Sequence, residues 1–226
     1  MSRFRAAIFD LDGVLCDTAQ FHYLAWKRLA DTLGIPFSEQ DNEALKGLSR
    51  EDSLRALLRL GGRQEPEAAE FSRLAEQKNR WYREAIARMT PADLAPGAGE
   101  FLRGLRELGL RTALGSASKN AARVLRCLQL EDAFDCIVDG AMLARAKPDP
   151  EIFLRSARQF GLPPAACVVF EDAPAGVLAA HRGGMPCVGV GRGDRLTEAE
   201  LVIPSFAGLQ PAVLLDWLER AIETNR

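Results

Sequence analysis

The chain has 226 residues, 47% of them hydrophobic, which is enough for one substantial domain or for one domain with a smaller inserted domain. Its 29 basic and 31 acidic side chains give a formal net charge of -2, so we expect binding neither to nucleic acid nor to an anionic membrane. No apolar run is long enough to span a membrane, and the first residues contain no segment of signal-peptide type, so we expect a cytoplasmic protein. Five scattered cysteines without a Cys-x-x-Cys pair are typical of reduced thiols.

Two aspartates follow the first predicted strand, at residues 6–9. Asp10 and Asp12 stand two residues apart, and Gly13 comes next. Two carboxylates that converge on one cleft repel each other unless a cation or a shared proton offsets their charge, so a fold accepts them mainly where chemistry uses them. The structural alternative is an Asp-Gly turn that only closes the strand. By itself, the motif leaves both interpretations open.

The next part of the chain contains only helical periodicities. Helices are predicted at 23–33, 39–45, 50–60 and 67–88, and glycines end the first and the third. We therefore predict an all-α cap domain at residues 17–90, inserted after the first strand. Residues 1–16 and 91–226 are predicted to form the core domain.

Short apolar strands then alternate with amphipathic helices. The strands are predicted at 112–115, 136–138, 168–170 and 187–190. This alternation predicts an α/β fold, a Rossmann-like parallel sheet core flanked by helices. Ligands of such sheets bind at the carboxyl ends of the strands, so the residues there decide what the two aspartates do.

Reactive side chains follow the other predicted strands as well. Ser116 follows the second strand, Lys147 lies in the loop after the third, and Glu171 and Asp172 end the fourth. Each of them has a structural alternative, such as the cap of a helix. Agreement among four strand ends favours a reaction centre.

Carboxylates gathered at one edge of a sheet require a cation. The set Asp10, Asp12, Glu171 and Asp172 offers hard oxygen ligands, and Mg²⁺ suits them best because it also keeps places for water and phosphate oxygens. Ser116 and the predicted helix start at residues 118–120 would donate hydrogen bonds to a phosphate. The residues therefore predict a magnesium-dependent phosphate site.

These residues form four ordered motifs. They are Asp10-x-Asp12-Gly-Val-x-x-Asp17-Thr18, the strand end at Ser116, Lys147-Pro148 and Glu171-Asp172-Ala. In this combination the chain resembles the haloacid dehalogenase-type phosphotransferases, in the group whose helical cap is inserted after the first strand. The resemblance covers nearly the whole chain.

The resemblance implies roles for the motif residues. Asp10 is implied to be the nucleophile that becomes aspartyl-phosphate, and Asp12 the general acid/base. Ser116 and Lys147 are implied to hold the phosphoryl group. The implied magnesium ligands are Asp10, the backbone carbonyl of Asp12, Glu171 and Asp172.

Cap and loop segments also resemble those of sugar phosphomutases in the same family. The matching positions are Thr18, His22, Trp26, Lys46, Gly47, Arg50, Ser53, Lys78, Ser116, Ala117, Ser118, Lys119 and Asn120. The resemblance implies that Arg50 and residues 118–120 grip the distal, non-reacting phosphate. It implies that Lys46 and Lys78 contact the sugar or shape the closed cap, and that Thr18 and His22 couple cap closure to Asp12. His22 could equally be a packed surface histidine, and Trp26 a core residue.

A mutase needs a positive handle at both ends of its substrate, and four of the five lysines lie in these segments or in the Lys147-Pro148 motif, against 24 arginines in the chain. Together with this, the resemblance implies a monomeric, Mg²⁺-dependent isomerase that interconverts β-D-glucose 1-phosphate and glucose 6-phosphate through the 1,6-bisphosphate. The alternatives are a sugar-phosphate phosphatase of the same family and a catalytically silent binding module. Each has a test: phosphate release without mutase activity, or binding without any phosphoryl transfer.

Overall fold

The computed structural model describes residues 3–45 and 48–224. Its strands are β1 (Ala6–Phe9), β2 (Arg111–Gly115), β3 (Cys136–Val138), β4 (Cys167–Glu171), β5 (Cys187–Val190) and β6 (Leu201–Ile203). Its α-helices are α1 (Ala19–Thr32), α2 (Glu39–Glu43), α3 (Arg50–Leu60), α4 (Ala68–Ile86), α5 (Ala98–Glu107), α6 (Ala121–Leu128), α7 (Glu151–Phe160), α8 (Pro174–Arg182) and α9 (Pro211–Thr224).

The strands form one parallel sheet in the order β3-β2-β1-β4-β5-β6. The predicted α/β fold class is confirmed, and all five predicted strands are present. The edge strand β6 and the last helix α9 were not among the predicted elements. Strand β6 has three residues and lies at the edge of the sheet.

Strand β1 is at the centre of the sheet and is wholly buried. Its sequence is continuously apolar because helices cover both faces of a parallel sheet. On one face, Phe9 stacks on Phe170 at 4.5 Å between ring centroids, and Phe101 and Phe206 pack around that pair. On the other face, Ile8 packs in a second apolar cluster with residues such as Phe153. The end of β1, where Asp10 follows, is thereby held rigidly.

Helices α1 to α4 have a core of their own. Trp26 and Leu29 of α1 pack with Leu54 and Leu57 of α3 and Leu74 of α4. Helix α1 begins at Ala19, earlier than predicted, and α4 ends at Ile86. The division into a core and a cap at residues 17–90 stays a prediction.

Two chain segments connect β1 to α1 and α4 to α5, and they run side by side. Cys16 forms a bridge with Leu94, and the backbone N–H of Ala95 donates to the carbonyl of Leu15 at 2.7 Å. A 3-10 helix at Pro91–Asp93 precedes the bridge on the return segment. The pairing ties both connections to the carboxyl end of β1.

In residues 3–45 and 48–224, no helix combines the length and the apolar character that crossing a bilayer requires.

Candidate active site

A cavity lies between the carboxyl edge of the sheet and helices α1 to α4. It contains about 910 Å³, including the part open to solvent. Its lining includes Asp10, Asp12, Thr18, His22, Trp26, Arg50, Ser53, Lys78, Ala117, Ser118, Lys119, Asn120, Glu171 and Asp172. The fold therefore brings together most residues that the sequence predicts for the site.

Asp10 continues β1 into the cavity. Its Oδ2 accepts a hydrogen bond from the backbone N–H of Asp12 at 3.0 Å. Its Oδ1 is paired with Nζ of Lys147, which also pairs with Oε1 of Glu171. The Lys147 side chain is 1% exposed and lies behind the two carboxylates, so it does not line the cavity. One buried ammonium thus positions carboxylates from two adjacent strands.

The buried carboxyl groups outnumber the single ammonium group that pairs with them, and the pKa values of two of them are raised. Burial raises the pKa of Asp10 to about 7, because the desolvation penalty and the repulsion from Glu171 and Asp12 exceed the attraction of Lys147. Burial also raises the pKa of Asp12, against the opposing effect of its hydrogen bond from Thr18. Burial disfavours the charged form of Lys147, but attraction to Asp10 and Glu171 more than compensates, so its pKa lies above the usual value. Excess negative charge of this kind is typical of a site that accepts a cation.

Thr18 joins the first cap helix to the second aspartate. It is fully buried at the N-cap of α1, and its hydroxyl donates a hydrogen bond to Oδ1 of Asp12. Any rotation of α1 about its N-terminus would therefore act on the Asp12 carboxyl.

His22 and Lys78 form a partly buried contact in the wall of the cavity. Nδ1 of His22 is 2.9 Å from Nζ of Lys78, and the His22 ring is 4.1 Å from that of Tyr82. Burial, with repulsion from Lys78 and Arg50, holds the pKa of His22 well below its usual range. Burial, with repulsion from Arg50, likewise lowers the pKa of Lys78. His22 is therefore a half-buried residue of the cavity wall and does not pack on the outer surface.

Trp26 is a core residue that also forms part of the cavity wall. It is 2% exposed and packs in the core of the cap helices, yet it also lines the cavity. Nζ of Lys78 lies 4.5 Å from the centre of its ring. The indole therefore positions a lysine while supporting the cap.

Ser116 follows β2 but does not reach the cavity surface. It is fully buried, and its Oγ accepts a hydrogen bond from the backbone N–H of Ser118 at 3.1 Å. Oγ of Ser118 in turn accepts from the N–H of Asn120 at 3.2 Å. These bonds shape the loop before α6 and turn residues 117–120 toward the cavity.

A second group of lining residues, which we call the cap end of the cavity, comes from this loop and from helices α3 and α4. Lys119 pairs with Glu51 of α3 at 2.7 Å, and the side-chain amide of Asn120 donates to Oδ1 of Asn79 at 2.9 Å. Arg50, at the start of α3, lies 3.6 Å from Glu76. Core and cap both contribute polar groups here.

The predicted magnesium ligands lie on the sheet side. Glu171 accepts a hydrogen bond from the N–H of Ala173 at 2.9 Å, in addition to its pair with Lys147. Asp172 packs so closely on Gly13 that a Cβ there would lie 2.1 Å from its Oδ2. Among the described residues, no three His, Cys, Asp or Glu side chains are arranged to hold a metal, and one predicted ligand is a backbone carbonyl. The hard oxygen donors and the surplus of negative charge nevertheless fit Mg²⁺.

Four predicted site residues remain, and the structure describes two of them. Lys46 and Gly47 lie outside the described residues. Ser53 is buried in α3 and lines the cavity, as does Ala117. Sequence reasoning missed Asn42, Leu45, Leu48 and Asn79, which also line it. Only Asn79 had a signal, since it follows Lys78 directly.

A family model for haloacid dehalogenase-like hydrolases matches residues 4–184, which is more than half of the chain. The chain belongs to the haloacid dehalogenase-like hydrolase family. Within it, the chain is 46% identical over 206 residues to the β-phosphoglucomutase of Bacillus subtilis, and the match covers 91% of each chain. It is 30% identical over 220 residues to a phosphorylated carbohydrates phosphatase of Thermotoga maritima, covering 96% of this chain and 99% of that protein.

A solved structure in the family is also similar. The crystal structure of β-phosphoglucomutase from Clostridium difficile superposes with a TM-score of 0.94 at 39% identity, covering 97% of this chain and 99% of that one. The predicted family is therefore confirmed.

Proposed function

We propose that the protein is a β-phosphoglucomutase, a phosphomutase that interconverts β-D-glucose 1-phosphate and glucose 6-phosphate. The observation that carries the proposal is the two-ended cavity. Asp10, paired with Lys147, lies at one end, while Arg50 and Lys119 lie at the other. The similarity to two β-phosphoglucomutases supports the same activity.

The two ends of the cavity suit a reaction whose intermediate carries two phosphates. A mutase must hold one phosphate while the other reacts, and its bisphosphate intermediate must then turn round. Arg50 offers two parallel donors to a phosphate, and Lys119 adds a compact positive charge. Residues 118–120 supply further donors from the core. A simple phosphatase has no need of such a second grip.

The reaction begins from a phosphorylated Asp10. The C6 hydroxyl of β-glucose 1-phosphate attacks the phosphorus, the bond to the Asp10 oxygen breaks, and Asp12 takes the hydroxyl proton. The bisphosphate turns round, and the Asp10 carboxylate attacks the phosphate at C1. The bond to the C1 oxygen breaks, Asp12 returns the proton to that oxygen, and glucose 6-phosphate leaves.

The surrounding residues supply alignment and charge. Lys147 holds the Asp10 carboxylate in line, and Thr18 orients the carboxyl of Asp12, whose raised pKa favours proton exchange. Asp10, Glu171, Asp172 and the carbonyl of Asp12 would hold Mg²⁺. When bound, the ion neutralises charge on the oxygens of the transferring phosphoryl group.

A coupled assay tests the proposal. The enzyme, primed with the 1,6-bisphosphate in the presence of Mg²⁺, should convert the β-anomer of glucose 1-phosphate to glucose 6-phosphate and should leave the α-anomer unused. Release of inorganic phosphate without glucose 6-phosphate would contradict it. That result would favour a sugar-phosphate phosphatase, the second candidate, which the Thermotoga maritima relative supports. A cytoplasmic, monomeric enzyme stays a prediction.

A further inference from the structure

Lys119, which we assign to the distal-phosphate grip, already has an anionic partner within the protein. Its Nζ lies 2.7 Å from Oε1 of Glu51. Lys119 lines the cavity from the core, whereas Glu51 is on α3 of the cap and does not line it. The ion pair therefore crosses from core to cap at the edge of the cavity.

Neighbouring groups at this end have protein partners too. Asn120 donates to Asn79, and Arg50 lies 3.6 Å from a carboxylate oxygen of Glu76. Carboxylate and amide oxygens of the cap helices thus already contact the donors that a phosphate at this end would use. A phosphate at this end therefore competes with these partners.

We propose that Glu51 is a specificity-determining residue that competes with the distal phosphate for Lys119. While the Glu51 carboxylate accepts from the Lys119 ammonium and offsets its charge, an incoming anion gains less from Lys119 than it would from a lysine without that partner. The inference rests on the proposed function for the position of the distal phosphate, and it adds a residue to which the predicted site gives no role.

The competition with Glu51 favours a phosphate monoester over ligands with less negative charge. A phosphate monoester carries a charge of about -1.5 to -2 near pH 7 and three acceptor oxygens, against one charge on the carboxylate. The Lys119 and Glu51 side chains are 41% and 36% exposed, so solvent screens their pair and keeps it easy to break. An ion pair of this exposure changes an equilibrium constant roughly two- to five-fold.

A second ion pair between cap and core provides a matched control. Glu43 at the end of α2 pairs with Arg195, in the segment between β5 and β6. Neither residue lines the cavity. Substitution of Glu43 therefore removes a cap-to-core pair of the same kind without freeing Lys119.

The test is calorimetric titration with inorganic phosphate in metal-free buffer. The proteins are the wild-type chain, Glu51→Gln, Glu43→Gln, Lys119→Met and the double variant Glu51→Gln with Lys119→Met. Glu51→Gln should bind phosphate roughly two- to five-fold more tightly. The gain should vanish in the Lys119→Met background, which also reports phosphate bound elsewhere, and Glu43→Gln should leave the dissociation constant unchanged.

Three results would overturn the proposal. Unchanged or weaker binding by Glu51→Gln would mean that the carboxylate does not compete. A gain that persists without Lys119 would place the effect elsewhere. An equal gain in Glu43→Gln would mean that any loosening of the cap improves binding.

A second ligand separates this inference from the proposed function. Glucose 6-phosphate is titrated into Asp10→Asn and into Asp10→Asn with Glu51→Gln, neither of which can form aspartyl-phosphate. The Glu51 substitution should tighten its binding by the same factor. If inorganic phosphate shows the gain but glucose 6-phosphate does not bind, the competition stands and the hexose-phosphate function is wrong.

Discussion

The two ends of the cavity neutralise their charges in different ways. At the sheet end, Lys147 is 1% exposed and is shared by two carboxylates that are themselves almost fully buried. At the cap end, Lys119 is 41% exposed and pairs with a carboxylate that is 36% exposed. Buried partners are held in one arrangement because separation would leave a charge without solvent, whereas exposed partners exchange at little cost. The sheet end is thus suited to fixed chemistry and the cap end to the arrival and departure of a phosphate.

The largest expected effect is at the sheet end. Asp10→Asn should lower mutase turnover at least about 10³-fold, because an amide cannot serve as the phosphoryl acceptor. The coupled assay measures turnover, and intact-protein mass spectrometry should find no covalent phosphate on the variant. Asp31→Asn removes an exposed carboxylate that pairs with Lys27 on α1, and it should retain both properties. Persistent phosphorylation of Asp10→Asn would show that another residue is the nucleophile.

Lys147→Met tests whether the sheet end depends on its buried ammonium. Removal of one partner of a buried pair should lower the free energy of unfolding by about 3–5 kcal/mol at pH 7, as measured by urea denaturation. Lys27→Met, which removes an exposed pair with Asp31, should change it by less than ~0.5 kcal/mol.

The deficit of Lys147→Met should depend on pH. With Lys147 present, burial already raises the pKa of Asp10 to about 7. Without it, the folded-state pKa rises further above the unfolded value. A raised folded-state pKa contributes stability that is present below the unfolded pKa, ~4 for a carboxyl group, and is lost as the pH rises. Between pH ~4 and about 7 the wild-type chain and the variant lose this stability alike, so the Asp10 part of the deficit should grow as the pH rises through about 7. A deficit that shrinks as the pH rises through this range would contradict this account.

Arg50→Ala tests the cap end. We expect a loss of about 10²-fold in kcat/KM for β-glucose 1-phosphate, because the variant lacks the bidentate contact to the distal phosphate. Phosphorylation of Asp10 by a small donor without a second phosphate, such as acetyl phosphate, should be affected much less. Arg73→Ala removes an exposed arginine that pairs with Glu70 on α4, and it serves as the control. Equal losses with both phosphoryl donors would place Arg50 outside the distal grip.

Gly13→Ala tests how tightly the sheet end is packed, and its expected effect is the smallest. Gly13 has φ +86, and an added Cβ would collide with Asp172. We expect a loss of about 1–3 kcal/mol in the free energy of unfolding, together with weaker activation by Mg²⁺.

Gly62→Ala is the matched control for that substitution. Gly62 has φ +63, and nothing lies within 4 Å of an added Cβ. Alanine at position 62 therefore has an unfavourable positive φ but no collision. The difference in the free energy of unfolding between the two variants then measures the collision with Asp172. Equal destabilisation and unchanged activation by Mg²⁺ would show that the contact has no role.

Local patterns in the chain were sufficient for much of the fold. Continuous apolar runs such as β1 predicted buried parallel strands, and helical periodicity with glycine stops predicted the helices of the cap. The short edge strand β6 was not predicted, although β3 has the same length and was. Helix α1 begins at Ala19, before its apolar pattern, and the backbone N–H of Ala19 donates to the side chain of Asp17. The site was predictable where residues follow strands directly, as Asp10 does. Asn42 was not, since it stands in no pattern that differs from an ordinary helix surface.

The sequence by itself therefore determined the fold class, the family motifs and the kinds of groups that meet at the sheet edge. Only the tertiary structure decided which groups pair. Lys147 reaches Asp10 across 137 positions of the chain, and Lys119 reaches Glu51 across 68. Local propensity acts over a few residues, whereas these pairings depend on how the cap helices pack over the sheet and on how much solvent that packing leaves. A lysine side chain is thus held by fixed partners at the sheet end of the cavity, whereas at the cap end a lysine can exchange its partner.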